Sequence, residues 1–544
     1  MRKSIQITFV SLLFVFSVNT NSKSCTNYLI TKSASTDGST LITYSADSHV
    51  LFGELYFRPA AMYPEGTMVD VIEWDTYKFL GRIKQASQTY SVVGNMNEYQ
   101  VSIGETTFGG RDELVDPKGI VDYGSLMYLA LQRAKTAREA IKVMTDLVAE
   151  YGYASSGESF SIADPNEVWY MEMIGKGPAN KGAVWVAIRI PDGYVSAHAN
   201  QARIQQFPLN DPVNCIYAKD IISFAKEKGY YKGEDKNFSF VNAYAPLSFG
   251  GMRFCEARVW SMFNKINSQM GKYEDFATGH NPKNPMPLYI KPDRKLSAHD
   301  VMQFMRDHFE GTSMDMTKDI GAGPYNLPYR WRPLTWKVDS VEYCNERAVS
   351  TQQTGFSFIA QARSWMPAPI GGILWFGVDD TYSTVYVPMY CGIKKAPQSF
   401  AVGNGSFQEF SWKSAFWVFN FVSNYSYLRY SEMIPEVQKV QTELEGQFFA
   451  NQAEVEQNAM DIYKTSPLKA REYLTDYSCQ QADMTVDRWM KLGEFLIWKF
   501  LDGNVKDEFG KPKHPGYSKE WYKKMADDTG NKLKVIKVEG ESTH

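Results

Sequence analysis

The sequence predicts an α+β fold in which antiparallel hairpins are separated by helices. Three observations carry this expectation. Short β-branched and aromatic runs, broken by turn residues, fill three blocks at about residues 25–110, 159–200 and 356–392. Capped helical segments lie between the blocks and more helix follows the last one, an order that favours α+β over a wound parallel sheet. Of the 544 residues, 44% are hydrophobic and 14% aromatic, enough for a large core and too apolar for a disordered chain.

The first block opens with "NYLIT" and "STLITYSAD" around the turn Asp37-Gly38, and continues through "SVVGNMNEYQVSIGETT". Thr136 and Glu139 then stand in capping-box spacing. Ile141, Met144, Leu147, Val148 and Tyr151 follow at helical intervals, and Gly152 falls where the helix would end. The second block contains "SFSIAD", "EVWYMEMI", "AVWVAIRI" and "YVSAHAN", with Asp164-Pro165-Asn166 as the hairpin turn. Ser297 caps a second helix, "SAHDVMQFMRDHFEGT", whose apolar face comprises Val301, Phe304, Met305, His308 and Phe309; His308 reads there as a packed core residue. The third block is "FSFIAQAR", "GGILWFGV" and "TVYVPMYCG". From about Ser411 the pattern is helical, and after Gly503 it becomes the Lys-, Gly- and Pro-rich pattern of a loosely held tail.

The N-terminus has the composition of a secretory leader. Arg2 and Lys3 precede the apolar run Ile5–Val18, which is too short to span a bilayer, and polar "NTNSKS" follows. Ser22 and Ser24 supply small residues for a cut before Cys25, so the expected mature chain is exported to the periplasm or the extracellular space without stable membrane insertion. Lipidation of Cys25 is the competing expectation; Lys23 and the early end of the apolar run count against it. A net charge of −3 with no basic stripe excludes a nucleic-acid partner. The other five cysteines are scattered and give no disulfide framework.

Metalloprotease, serine-hydrolase and nucleotide-binding motifs are missing, and none of the seven histidines pairs with another at ligand spacing; no cofactor and no metal are expected. Cleavage before Cys25 supplies chemistry of its own. An N-terminal cysteine carries a thiol and a free α-amine on one carbon. The amine titrates at about 7.7–8.0 and can take the thiol proton without a histidine. The sulfur then attacks a carbonyl, fixed donors hold the oxyanion, and water hydrolyses the acyl-enzyme.

The run "CTNYLITKSASTDGSTLITYSADSH" resembles the start of the mature C69 peptidases, bacterial dipeptidases related to secernins. It is more distantly similar to penicillin V acylases and conjugated bile salt hydrolases. Five further segments resemble that family in order: "GNMNEYQVSIGETT", "IADPNEVWYMEMIGKG", "IPDGYVSAHANQARI", "VMQFMRDHFEGTSMD" and "ILWFGVDDTYSTVYVPMY". The resemblance covers about residues 25–392 and implies an N-terminal nucleophile hydrolase, a four-layer αββα sandwich, here with a helical C-terminal extension.

The implied division is a leader over 1–24, a catalytic domain over 25–410, a helical segment over 411–502 and a flexible tail over 503–544. The implied activity is hydrolysis of short peptides by a secreted cysteine dipeptidase, with a small peptide as its substrate and the oligomeric state left open. Residue by residue, the resemblance makes Cys25 the nucleophile, Asp47 the carboxylate that orients its amine, and Asn200 an oxyanion donor, with Thr107 near the second oxyanion position. The acylases carry Arg three residues before that Asp; here Tyr44 stands there. His198 reads as a bystander. Glu105 and Glu172 are candidates for holding a substrate ammonium or, equally, structural carboxylates. Two other functions stay open at this point: an amide acylase on bile-salt or acyl-lactone conjugates, and a lipid-anchored binding protein.

Overall fold

The structure is a computed structural model that describes residues 25–48, 51–331 and 333–536. The leader expected over 1–24, with its cut after Ser24, lies outside the described residues.

Two antiparallel sheets organise the chain. The first has seven strands. From one edge they run Tyr289–Ile290, β7 (Val195–His198), β1 (Asn27–Ile30), β2 (Thr40–Asp47), β8 (Thr354–Ala362), β9 (Ile373–Val378) and β10 (Val387–Tyr390). The eight strands of the second are Cys215–Tyr217, β6 (Ala183–Arg189), β5 (Val168–Gly175), β4 (Gly157–Ala163), β3 (Ser102–Gly109), Met96–Asn97, Val92–Val93 and Phe57–Arg58. The turns are those the sequence announces. Gly38 takes φ +82° between β1 and β2, and the Asp37 carboxylate accepts the Ser39 amide. Between β4 and β5, Asp164 accepts the amides of Asn166 and Glu167 and closes the hairpin.

The sheets approach each other where side chains are small or can bond across the gap. A Cβ on Gly104 of β3 would lie 2.6 Å from Asn27 Nδ2 and 3.1 Å from the Thr43 carbonyl oxygen, so glycine is what lets the strands close. Asn27 Nδ2 donates to Ser161 Oγ at 3.3 Å. On the other side of the eight-stranded sheet, α1 (Tyr123–Leu131) and α2 (Ala137–Tyr151) bury Leu126, Ile141 and Met144 against Ile103, Phe160 and Trp169. Thr136 caps α2 through the Glu139 amide as expected, but Glu139 reaches back to the amide of Lys135 rather than to that of the cap.

The helix after Ser297 has a full capping box with Asp300, but it ends at Met305 (α4, Ala298–Met305), short of the expected His308 and Phe309. Phe309 has φ +65°, which a helix cannot absorb. His308 instead bonds Glu310 through Nδ1 at 3.0 Å.

The C-terminal helices α5 (Ala415–Ser426), α6 (Tyr430–Thr465) and α7 (Pro467–Lys499) pack on the seven-stranded sheet and share its core. Trp489 stacks on Phe419 at 4.7 Å, and Phe449 lies 4.8 Å from Trp375 of β9. Two buried ion pairs, Arg306–Glu445 and Arg363–Glu456, each at 2.6 Å, tie α6 to the catalytic half. Past Gly503, where a flexible tail is expected, the described residues form a two-strand ribbon (505–506 with 512–513) and a helix, Lys519–Thr529, that buries none of its residues.

Candidate active site

Cys25 precedes β1 and is 3% exposed. The chain after it is held firmly: the Thr26 amide donates to Ser45 Oγ at 3.2 Å, and the Ser45 amide donates to the Thr26 carbonyl at 3.0 Å. Arg258, at the start of α3 (Ala257–Ile266), is itself 1% exposed. Its Nη1 donates to the Cys25 carbonyl at 2.6 Å and to Thr26 Oγ1 at 2.8 Å. Its Nη2 donates to the Ala199 carbonyl and to Asn200 Oδ1, each at 2.9 Å. One guanidinium fork therefore fixes the nucleophile's own carbonyl and the side chain of Asn200 together.

Asn200 follows β7 in the left-handed region, at φ +66°, a conformation asparagine tolerates better than most residues. With Oδ1 on Arg258, its Nδ2 donates to the Thr107 carbonyl at 2.8 Å, which orients the amide and leaves its second hydrogen for another acceptor. The Thr107 hydroxyl is turned the other way and donates to Glu158 Oε1 at 2.9 Å.

Three groups on β2 and β3 bear on the thiol. Sγ lies 3.9 Å from the Tyr44 hydroxyl and 3.9 Å from Glu105 Oε1, and the two partners are joined by a 2.5 Å bond from the hydroxyl to the carboxylate. The third is the Asp47 backbone amide. Burial pushes the thiol well above its ordinary pKa, and the charges of Glu105 and Asp47 push the same way; the Asp47 amide and the Tyr44 hydroxyl offset part of this. A resting thiolate is thus disfavoured, and the sulfur needs a base at the moment of attack. The Asp47 carboxylate pairs with Arg347 at 2.7 Å and accepts the Thr354 hydroxyl at 2.7 Å. Burial still raises its pKa despite Arg347.

His198 has no bond to the sulfur among those described. Its Nδ1 shares a hydrogen bond with Thr106 Oγ1 and its Nε2 one with Ser161 Oγ, both at 2.7 Å, and burial drops its pKa well below the usual value. It is a neutral bridge between the sheets.

The sequence-derived residues therefore fall into two sets. Cys25, Asp47, Glu105, Thr107 and Asn200 are gathered by the contacts above. Glu172 on β5 is occupied differently: its Oε1 accepts the Tyr170 hydroxyl at 2.8 Å and the amides of Arg203 and Ile204 at 2.5 and 3.2 Å. Burial raises its pKa to about 7. It holds the turn that follows Asn200, which is the structural alternative for that carboxylate.

Arg258, Glu158 and Arg347 belong to the site and were not singled out from the sequence. The signal for Arg258 is a lone charge in the apolar run Ala257–Phe263; nothing local marks the other two.

Residues 24–443 match the family described as Peptidase family C69. This chain belongs to that family. It is 25% identical over 394 residues to a "Probable dipeptidase" of Salmonella dublin, covering 68% of this chain and 81% of that protein. It is 24% identical over 527 residues to a "Probable dipeptidase B" of Streptococcus pyogenes serotype M1, covering 91% and 97%. A "Probable dipeptidase" of Latilactobacillus sakei is 25% identical over 391 residues, 69% of this chain and 76% of the relative. Membership makes the chain a peptidase, a hydrolase of peptide bonds. Among the described residues there is no group of His, Cys, Asp and Glu that could hold a metal ion, and no helix long and apolar enough to cross a membrane.

Proposed function

We propose that this C69 peptidase is exported, loses residues 1–24 and cleaves dipeptides with Cys25 as its N-terminal nucleophile, on an N-terminal nucleophile hydrolase scaffold of αββα type. Two antiparallel sheets with helices on α1–α2's side and on α5–α7's side support the scaffold, and the relatives' names support the dipeptide.

One observation carries the mechanism. The buried thiol is bonded to a phenol and a carboxylate, while His198, two residues before Asn200, is consumed by two hydroxyls. The α-amine freed by cleavage supplies the missing base. As sulfur bonds to the scissile carbonyl carbon, the amine takes the thiol proton and the carbonyl oxygen becomes an oxyanion. The remaining Nδ2 hydrogen of Asn200 and a donor near Thr107 receive that charge. The resulting ammonium of Cys25 then protonates the departing amine of the second residue, and water, deprotonated by the same α-amine, hydrolyses the thioester. Asp47 holds the ammonium form in place, and Arg258 fixes the Cys25 carbonyl so that amine and thiol share one orientation.

The test is selective alkylation. Iodoacetamide should abolish dipeptide hydrolysis in step with modification of Cys25, and EDTA should leave the rate unchanged. Full activity with Cys25 alkylated, or a strong preference for glycine- or taurine-conjugated acyl amides over dipeptides, would refute the proposal.

A further inference from the structure

We infer that Glu105, with Tyr44 beside it and Glu158 behind it, seats the free α-ammonium of the substrate, so that cleavage falls after the first residue of the peptide; the inference rests on the dipeptidase reading above.

In a dipeptide the ammonium nitrogen and the scissile carbonyl carbon share one Cα, which puts them about 2.5 Å apart. An attacking sulfur approaches that carbon to about 3–3.5 Å. Any group that binds the ammonium in the reactive complex therefore lies within a few ångströms of the sulfur, whatever the side chains of the substrate. Glu105 Oε1 meets the requirement at 3.9 Å from Sγ.

Glu105 is also a rigid seat. It is 1% exposed on β3, and the Tyr44 hydroxyl donates to the same Oε1, which fixes the carboxylate's rotation. Glu158 of β4 stands across the ladder from Thr107 and is equally buried. It accepts the Thr107 hydroxyl, so it is coupled through Thr107 and Asn200 to the fork that holds Cys25. Tyr123 at the start of α1 links this interior to the surface: its hydroxyl donates to the exposed Asp75 at 3.0 Å, and Glu105, Asp75 and Glu158 all lie near enough to raise its pKa on top of burial. Carboxylates thus lie between the surface at Asp75 and the sulfur, a charge distribution that favours a cation over an anion. Glu172, the other carboxylate the sequence offers, is excluded from the seat by its backbone bonds.

The inference also fixes the register of cleavage. An ammonium further along a longer peptide cannot be both on Glu105 and next to the scissile carbon unless the bond cut is the first. A tripeptide that is cut should release its N-terminal amino acid, and an acetylated or des-amino peptide should lose the charged contact.

The experiment compares a free dipeptide, its N-acetyl form, its des-amino analogue and a tripeptide, with the wild type, Glu105→Gln and Glu158→Gln. In the wild type kcat/KM should fall ten- to hundredfold from the free dipeptide to the des-amino analogue, which removes the charge without adding bulk. In Glu105→Gln that ratio should collapse toward one because the free dipeptide loses its advantage, while Cys25 is still alkylated by iodoacetamide. Glu158→Gln should narrow the ratio less. A wild type that cuts free and des-amino substrates equally, or releases a dipeptide from the N-terminus of the tripeptide, overturns the ammonium seat and leaves the dipeptidase reading standing. A wild type that cuts no dipeptide overturns both. A ratio in Glu105→Gln that stays at the wild-type value also overturns the seat; if that variant does not fold, an unchanged ratio in Glu158→Gln does so.

Discussion

Replacing Asp379 by Asn should stabilise the protein above neutral pH and do much less in mild acid. Asp379 follows β9 at the sheet margin; it is 1% exposed. Its Oδ1 accepts Asn420 Nδ2 at 2.7 Å and its Oδ2 accepts the Ser423 hydroxyl at 2.5 Å, but no cation pairs with it among the described ion pairs. Burial, with Asp380 next to it, raises its pKa from 3.8 to about 7. The folded state therefore keeps a proton through a window in which the unfolded chain has released it. Raising the pH from about 4 to 7 removes stability, and above 7 the full penalty applies, roughly three units or about 4 kcal/mol. Glu172, raised from 4.5 to about 7, acts with the same sign. Asp300 and Glu310, both lowered to about 2, act oppositely and withdraw stability only in stronger acid.

Asparagine at 379 removes the charge and keeps the bonds. Its oxygen still accepts Asn420, and its NH₂ donates to Ser423 Oγ, whose hydroxyl turns to the Asn420 carbonyl at 3.1 Å. The native φ of +67° is also one asparagine adopts. Guanidinium titrations of both proteins at about pH 5 and about pH 8 measure the effect. The advantage of Asp379→Asn should grow by about 3 kcal/mol between the two conditions, the part of the penalty that lies between pH 5 and 7. An advantage that is the same at both pH values, or a variant less stable than wild type at the higher one, would refute the reasoning that the buried carboxylate is uncompensated.

Gly104→Ala should destabilise the fold by about 1–3 kcal/mol in the same titration, because its Cβ meets Asn27, Thr43 and Tyr44 at 2.6–3.2 Å; an unchanged midpoint would mean that the sheets are not tightly apposed there. His198→Gln should cost about 1–3 kcal/mol of stability through its two hydroxyl partners, yet leave the kcat of the folded enzyme nearly intact and its pH profile unmoved. Loss of turnover equal to that of Cys25→Ala would restore a Cys–His mechanism. Arg258→Lys keeps the charge but cannot reproduce the fork, so kcat should drop with little change in KM, and stability should fall by about 1.5–3 kcal/mol; wild-type kcat would remove Arg258 from the positioning of Cys25.

How much of this was legible beforehand depends on the reach of each interaction. Asp37-Gly38, Thr136 and Ser297 act within a few residues, and the turn and caps they announce are present. The helical spacing of Val301, Phe304, Met305, His308 and Phe309 predicts a longer helix after Ser297 than forms, because the chain leaves the helix at Arg306 and makes Phe309 left-handed. Asp47 and Asn200 came from resemblance to a family, not from local pattern, whereas Cys25 is marked first by the leader that precedes it. Arg258 bonds a carbonyl 233 positions away and Arg347 a carboxylate 300 positions away, distances at which a single sequence carries no pairing signal. Glu105 and Glu172 look alike in their strands; only the partners, Tyr44 and the thiol for one and backbone amides for the other, tell them apart.

Top-down mass spectrometry of the active, exported protein, reacted briefly with a dipeptide and quenched in acid, tests whether a terminal Cys25 is the nucleophile. The expected result is a chain whose first residue is Cys25, with an unmodified α-amine, and a thioester mass increment of one amino-acid acyl group on that residue. An active chain that begins at any other residue, that carries lipid on Cys25, or whose acyl group sits elsewhere would contradict it.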